Sequence, residues 1–208
     1  MPSMTVEEFL VTDQAAFGPA GRYELVDGRP VAHAAPAPEH GAIVVNLGTA
    51  LSRRLAANPC RVEAGSAAVP RGNDRARIPD VMIRCGGKPT VLFEVISPSD
   101  EKSQAQKAER YRDLMNVDGV VEIVEVVQAE FVCRLHRWRG EINGWQMEVI
   151  SGAAETLKLL SVGIEIPFSE IYAKVLDVAP GNPTRTDDFG ARMIEQAGRL
   201  DQDFTLEP

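Results

Sequence analysis

Two β-type runs joined by a glycine turn, with a helix-type run directly after them, constrain this chain more than any other stretch. The runs are Pro79-Asp80-Val81-Met82-Ile83-Arg84-Cys85 and Thr90-Val91-Leu92-Phe93-Glu94-Val95-Ile96-Ser97, and Gly86-Gly87-Lys88-Pro89 between them is a hairpin signal. The period of two along a strand places Asp80 with Met82 and Arg84, and Val81 with Ile83 and Cys85 on the other face. The same rule sets Glu94 between Leu92 and Ile96. A carboxylate flanked on its own face by two aliphatic side chains is costly to bury alone, so Glu94 requires a cation, a hydrogen-bond donor or water. The hairpin brings Asp80 and Glu94 to one end of a sheet.

The run that follows predicts a helix from the Ser97-Pro98-Ser99 break to about Met115, with Ser99 as its cap and Asp100 and Glu101 at the positive end of the dipole. Lys107, Tyr111 and Leu114 fall at i, i+4 and i+7 and share a face. If that face covers the sheet, Lys107 reaches the edge where Glu94 points. Metal-assisted phosphodiester hydrolysis needs such parts: oxygen ligands for a hard divalent cation, Mg²⁺ or Mn²⁺, and an amine to orient water or offset charge. Each residue also has an ordinary structural reading. Either acid can pair with Arg77 or Arg84, and Lys107 can keep its ammonium in water.

Elsewhere, Thr5 with Glu8 is a capping-box pattern for a short helix through about Leu10, and Asp27-Gly28 is a hairpin signal between Tyr23–Val26 and Pro30–His33. Ile43, Val44, Leu47, Leu51 and Leu55 recur at helical spacing until Asn58-Pro59. Cys60 to Val69 reads as the first strand of a meander. Val120 to Val127 reads as a buried strand, Phe131–Trp138 with Trp145–Ile150 as a hairpin, and Gly163–Pro167 as a last short strand before a helical turn at Ser169 to Val175. Glu24, in the first hairpin, and His40, in the first turn of the long helix, are auxiliary candidates near the acids, as is Tyr111. For Glu24 the alternative is bonding to a neighbouring strand or turn; for His40 it is capping or packing. Histidines 33, 40 and 136 have no serine or cysteine partner at motif spacing, which argues against acyl transfer.

A chain of 208 residues can bury one sizeable core, and residues 1–176 read as a single domain. The Pro180-Gly181-Asn182-Pro183 boundary introduces an acidic C-terminal extension, 177–208, expected to be partly docked or disordered. No apolar run is long enough to span a bilayer and the N-terminus lacks a leader pattern, so a soluble cytoplasmic protein is expected. Cys60, Cys85 and Cys133 are widely spaced with no paired-thiol motif, and are expected as buried reduced thiols. The net charge of −8 argues against a protein that coats DNA. Residues 177–208 hold seven acids and three arginines, hence −4, leaving −4 for the body. Within that body Arg53, Arg54, Arg61, Arg71, Arg75 and Arg77 precede the acid-bearing hairpin, either as a local basic rim or as solvated charges.

The order of six blocks gives the chain a family likeness. Met4-Thr5-Val6-Glu7-Glu8-Phe9-Leu10, Arg22-Tyr23-Glu24-Leu25-Val26-Asp27-Gly28-Arg29, Glu39-His40-Gly41, Pro79-Asp80-Val81, Phe93-Glu94-Val95-Ile96-Ser97-Pro98-Ser99, and Lys107 with Tyr111 together resemble the Uma family of bacterial restriction-endonuclease-like proteins, a branch of the PD-(D/E)XK nuclease superfamily. The resemblance spans roughly residues 4 to 172. It implies a mixed α/β fold of helix, three-stranded antiparallel meander, helix and further strand, giving a central mixed sheet flanked by helices with an N-terminal hairpin and a C-terminal β-hairpin extension. It also implies a metal at the sheet edge, with Asp80 and Glu94 as ligands and Lys107 in place of a lysine two residues after the second acid, where this chain has Ile96. Ser103 stands where relatives tend to carry another acid, and Val121-Glu122-Ile123-Val124-Glu125-Val126 replaces their usual Glu-Tyr-Trp-hydrophobe-Val-Asp.

The expected activity is metal-dependent endonucleolytic hydrolysis of DNA. The alternative is a catalytically silent nuclease fold that binds nucleic acid or a protein. A third reading, an oligomerisation domain, rests on the C-terminal segment, whose Phe189, Met193, Ile194, Leu200 and Phe204 offer apolar surface for docking across a homodimer's two-fold axis.

Overall fold

The computed structural model describes residues 3–33, 36–65, 67–98 and 104–177. Helix α1 (Val6–Val11) opens on the expected capping box: Glu8 N–H donates to Thr5 Oγ1 at 3.2 Å, and Thr5 N–H donates to the Glu8 carboxylate at 2.8 Å. A single 3-10 turn follows at Gln14–Phe17. Strands β1 (Tyr23–Val26) and β2 (Arg29–Ala32) form a hairpin whose turn residues, Asp27 and Gly28, both have positive φ, the hand that a two-residue turn between twisted strands requires. Helix α2 (Pro38–Arg54) buries Ile43, Leu47, Ala50 and Leu51. The single strand expected from Cys60 to Val69 is instead divided. Strand β3 (Arg61–Ala64) ends at Gly65, which has a φ of 69°, and β4 (Val69–Arg71) pairs with β5 (Arg75–Arg77) in another sheet. A left-handed glycine turns the chain out of the central sheet.

Strands β6 (Val81–Cys85) and β7 (Lys88–Ile96) are the hairpin read from the sequence, turning at Gly86 and Gly87. Helix α3 (Gln104–Met115) carries the chain across to β8 (Glu122–Val127), which lies parallel to β7. A crossover of this kind is what two parallel neighbours demand. Strands β9 (Val132–Trp138) and β10 (Trp145–Ser151) extend the same sheet, and β11 (Thr156–Leu159) pairs with β12 (Ile164–Pro167) ahead of the short helix α4 (Phe168–Ile171). The central sheet runs β10-β9-β8-β7-β6-β3, and a smaller sheet runs β2-β1-β5-β4. The architecture is thus mixed α/β, a central mixed sheet flanked by helices. Strand β11, and the β4–β5 hairpin, were not read from the sequence.

Alternation along the strands sorts the two faces. Val81, Ile83, Val91, Phe93, Val95, Val124 and Val126 pack with α2, β11, β12 and α4. Met82, Leu92 and Ile123 pack beneath Tyr111 and Leu114 of α3. Cys60 and Cys85 are joined by a disulfide, contrary to the expectation of reduced thiols, whereas Cys133 is free and buried. The pairing follows from register: Arg61 is opposite Arg84, so the residues just outside that pair meet across the two strands.

The expected helix cap at Ser99 and the position of Ser103 lie outside the described residues, as does the extension at 177–208 apart from Asp177. Among the described residues no helix is long and apolar enough to cross a membrane.

Candidate active site

Val81 is opposite Phe93 in the β6–β7 ladder, so continuing that register by one residue sets Asp80 opposite Glu94. Glu94 is in turn opposite Glu125 on β8, and Glu125 is opposite Arg134 on β9. Asp80 just ahead of β6, Glu94 on β7, Glu125 on β8 and Arg134 on β9 therefore form a row across the face that α3 covers. All four residues are buried. Asp80 and Glu94 share one face and one end of the hairpin, as the period of two implied.

Each acid in the row has its own partners. Asp80 Oδ2 accepts from Val95 N–H at 2.9 Å and lies 3.1 Å from His40 Nε2, while Oδ1 accepts from Arg22 at 3.1 Å. Arg22 also donates to the carbonyl of Ile78. Glu94 takes both its contacts from Arg110, Nε to Oε2 at 3.1 Å and Nη2 to Oε1 at 3.0 Å. Arg110 reaches further, donating from Nη1 to both Glu24 oxygens at 2.6 and 2.5 Å. Glu24 additionally accepts from Ile78 N–H at 2.6 Å and Arg77 at 3.2 Å, and sits 3.0 Å from His33 Nε2. Lys107 Nζ donates to Glu125 Oε2 at 2.7 Å, one strand over from Glu94. Arg134 and His136 complete the surroundings of Glu125 at 3.0 and 2.9 Å.

Helix α3 is held over this row by its other flank. Asp113, buried on α3, receives Arg71 at 3.1 Å, Arg75 at 3.1 Å and Arg77 at 2.7 Å from the β4–β5 hairpin. Three of the arginines that sequence placed in a basic rim or in solvent are instead tied to a helix carboxylate. With Asp113 fixed, Lys107, Arg110 and Tyr111 face the sheet. Tyr111 is buried with its ring 5.4 Å from that of His136, and its hydroxyl has no hydrogen-bond partner among the described residues. Arg110 was missed by the sequence reading, although i, i+3, i+4 spacing from Lys107 places it on the same helix face.

The electrostatics separate the acids. Burial pushes the Glu94 carboxyl up to about 7; Arg110 opposes this, and the charges of Asp80 and Glu24 add to it. Burial also works against ionised Asp80, but His40, Val95 N–H and Arg22 outweigh it and hold the carboxyl below its ordinary value. For Glu24, Arg110 and His33 overcome burial and hold the carboxyl well below the usual range. For Glu125, His136 and Lys107 overcome it, to about 2. Glu94 is the acid whose negative charge is least well compensated.

Asp80, Glu94 and Glu24 offer an all-oxygen donor set, which suits a hard divalent cation. Among the described residues, however, no group of three or more His, Cys, Asp or Glu side chains is assembled around one point as a metal site. The donors fit such a cation in kind, and a guanidinium is seated on two of them.

The central mixed sheet flanked by helices agrees with the fold that the family resemblance implies. The sequence matches the model of the Uma2 family, described as "Putative restriction endonuclease", over residues 6–169, and the chain belongs to that family. The fold is similar to the crystal structure of a "putative nuclease belonging to DUF820" from Anabaena variabilis, with a TM-score of 0.64 and 15% identity, covering 83% of this chain and 99% of the other. That likeness is one of fold. Comparison with curated proteins gives no match.

Proposed function

We propose that this chain is an endonuclease hydrolysing phosphodiester bonds in DNA with Mg²⁺ or Mn²⁺. The observation that carries the reading is the cross-strand placing of Asp80 beside Glu94 in a buried, carboxylate-rich cluster under α3, in a chain belonging to the Uma2 family. Asp80 and Glu94 are the residues to hold the cation, with Glu24 beside them. When bound, the cation supplies Lewis acidity at the phosphoryl oxygen and lowers the pKa of a water nucleophile. Val95 N–H and His40 fix the Asp80 carboxylate in place. Glu125 fixes the Lys107 ammonium one strand over from Glu94, where its charge offsets that developing on the phosphate.

A cleavage assay on supercoiled and single-stranded DNA tests the reading. Wild type should nick or linearise DNA in Mg²⁺ or Mn²⁺ but not in EDTA, and Asp80→Asn should lower the rate at least a hundredfold while still melting cooperatively, at a somewhat lower temperature because the ionised carboxylate is lost. Equal rates for wild type and Asp80→Asn would end it. The second reading, a silent nuclease fold that binds nucleic acid or protein, draws on the ion pairing of Glu94 and Glu24 with Arg110 and on Ile96 in the usual lysine slot. A cytoplasmic setting and a homodimer, which would meet two antiparallel DNA strands symmetrically, are part of the proposal. Light scattering on the full-length chain tests the dimer.

A further inference from the structure

We infer that Arg110 is the resident counter-ion of the Glu24–Asp80–Glu94 cluster, and that a divalent cation binds there only by displacing its guanidinium. The inference rests on the endonuclease reading and adds a residue that must move before the cation enters.

A guanidinium has five N–H donors in a fixed plane. Those of Arg110 are spent on Glu94 through Nε and Nη2, on both Glu24 oxygens through Nη1, and on the Ile78 carbonyl at 3.1 Å through Nη2. Both oxygens of both acids are thereby engaged. A divalent cation of this type sits about 2 Å from each oxygen ligand. A cation at that distance from Glu94 Oε1 stands at most about 5 Å from Arg110 Nη2, which is 3.0 Å from the same oxygen. Two positive groups so close at a buried site repel strongly, so the seated guanidinium opposes entry of the cation.

The other cations around the cluster do not share this position. Arg22 and His40 contact Asp80, and Arg77 is shared between Glu24 and Asp113. Arg110 alone among these contacts joins Glu24 to Glu94. Its side chain is 16% exposed, and the helix it stands on is also anchored through Asp113 by Arg71 and Arg75, which do not touch the cluster. Displacement is therefore a swing of one side chain and leaves α3 in place. The apparent affinity for the cation is reduced by the fraction of molecules in which that swing has occurred.

Calorimetric titration of the full-length chain with Mn²⁺ reads this directly. Arg110→Met, which keeps the length and removes the charge, should bind Mn²⁺ at least tenfold more tightly than wild type. It should also melt at a lower temperature without metal and recover with Mn²⁺. Arg110→Lys, a point charge that reaches one carboxylate at a time, should fall between them and covers the case in which the methionine variant does not fold. Adding Asp80→Asn to either variant should remove the gain. In the wild-type chain, the Arg110 Nε–H proton should lose its protection from exchange on saturation with Mg²⁺. Equal Mn²⁺ affinity in wild type and the Arg110 variants, or an Nε–H proton still protected at saturating Mg²⁺, overturns the inference and leaves the endonuclease reading standing. Absence of binding in all three proteins overturns both.

Discussion

Burial between Leu92 and Ile96 pushes the Glu94 carboxyl up to about 7 from the ordinary 4.5, with the charges of Asp80 and Glu24 adding to the effect against Arg110. The folded chain therefore holds this proton more tightly than the unfolded chain. The Glu94 contribution to stability is complete below about 4.5 and is lost as pH rises through about 7, corresponding to roughly 3 kcal/mol. Asp80 and Glu125, both lowered, act in the opposite sense and withdraw their stabilisation as pH falls below the usual carboxylate range. We expect Glu94→Gln to abolish the decline between pH 5 and 8 in urea-denaturation free energies. A variant that declines as steeply as wild type would show that another group is responsible. Sequence could indicate that Glu94 needs a partner, because its aliphatic neighbours on the strand are visible. It could not indicate which: Lys107, Arg110 and Tyr111 share one helix face, and only the folded geometry gives both Glu94 oxygens to Arg110. Lys107 meets Glu125 instead, since the parallel register of β7 and β8 places a second acid beside the first.

Elements whose apolar residues are periodic were readable, and those held by charge or by a single glycine were not. Helix α2 and the β6–β7 and β9–β10 hairpins follow their hydrophobic patterns and turn residues. The β4–β5 hairpin has three residues per strand, is rich in arginine and is held to α3 through Asp113, so no periodicity marks it. The junction between α3 and β8 is equally silent in sequence yet tightly constrained. Gly119 has a φ of 93°, and a Cβ there would stand 2.9 Å from the Pro89 carbonyl oxygen and 2.8 Å from Lys88 Cβ. Backbone and strand positions cannot yield as a flexible side chain would. Gly119→Ala should therefore destabilise the chain by about 2 kcal/mol or more, from positive-φ strain and the clash together. Chemical denaturation checks this, and a loss below 0.5 kcal/mol, the size of a surface substitution, would count against the close approach.

Across the molecule, β6 joins two features of different kinds. Asp80 precedes its first residue and Cys85 ends it, so the acid cluster and the Cys60–Cys85 bond lie at opposite ends of a strand of five residues, about 16 Å long. The bond ties the edge strand β3 to β6 across a sequence separation of 25, a loop whose closure restricts the unfolded chain by up to about 3.5 kcal/mol. The ladder between the two strands and the packing of Val62 against the core remain when the bond is opened. Reduction should consequently lower the melting temperature by up to about 10 °C without unfolding the protein. Cys60→Ser/Cys85→Ser should melt like the reduced wild type and be insensitive to reductant. Mn²⁺ binding by the reduced protein should stay within twofold of that by the oxidised protein, because β7 holds Asp80 through Phe93 C=O and Val95 N–H, and the one bond from the end of β3, Gly65 N–H to Asp80 C=O, lies at the far end of β3 from the disulfide. A larger change in binding would mean that the edge strand controls the position of Asp80; coincident melting curves, with thiol titration confirming that the bond is open, would mean that the β3–β6 ladder holds this edge without it.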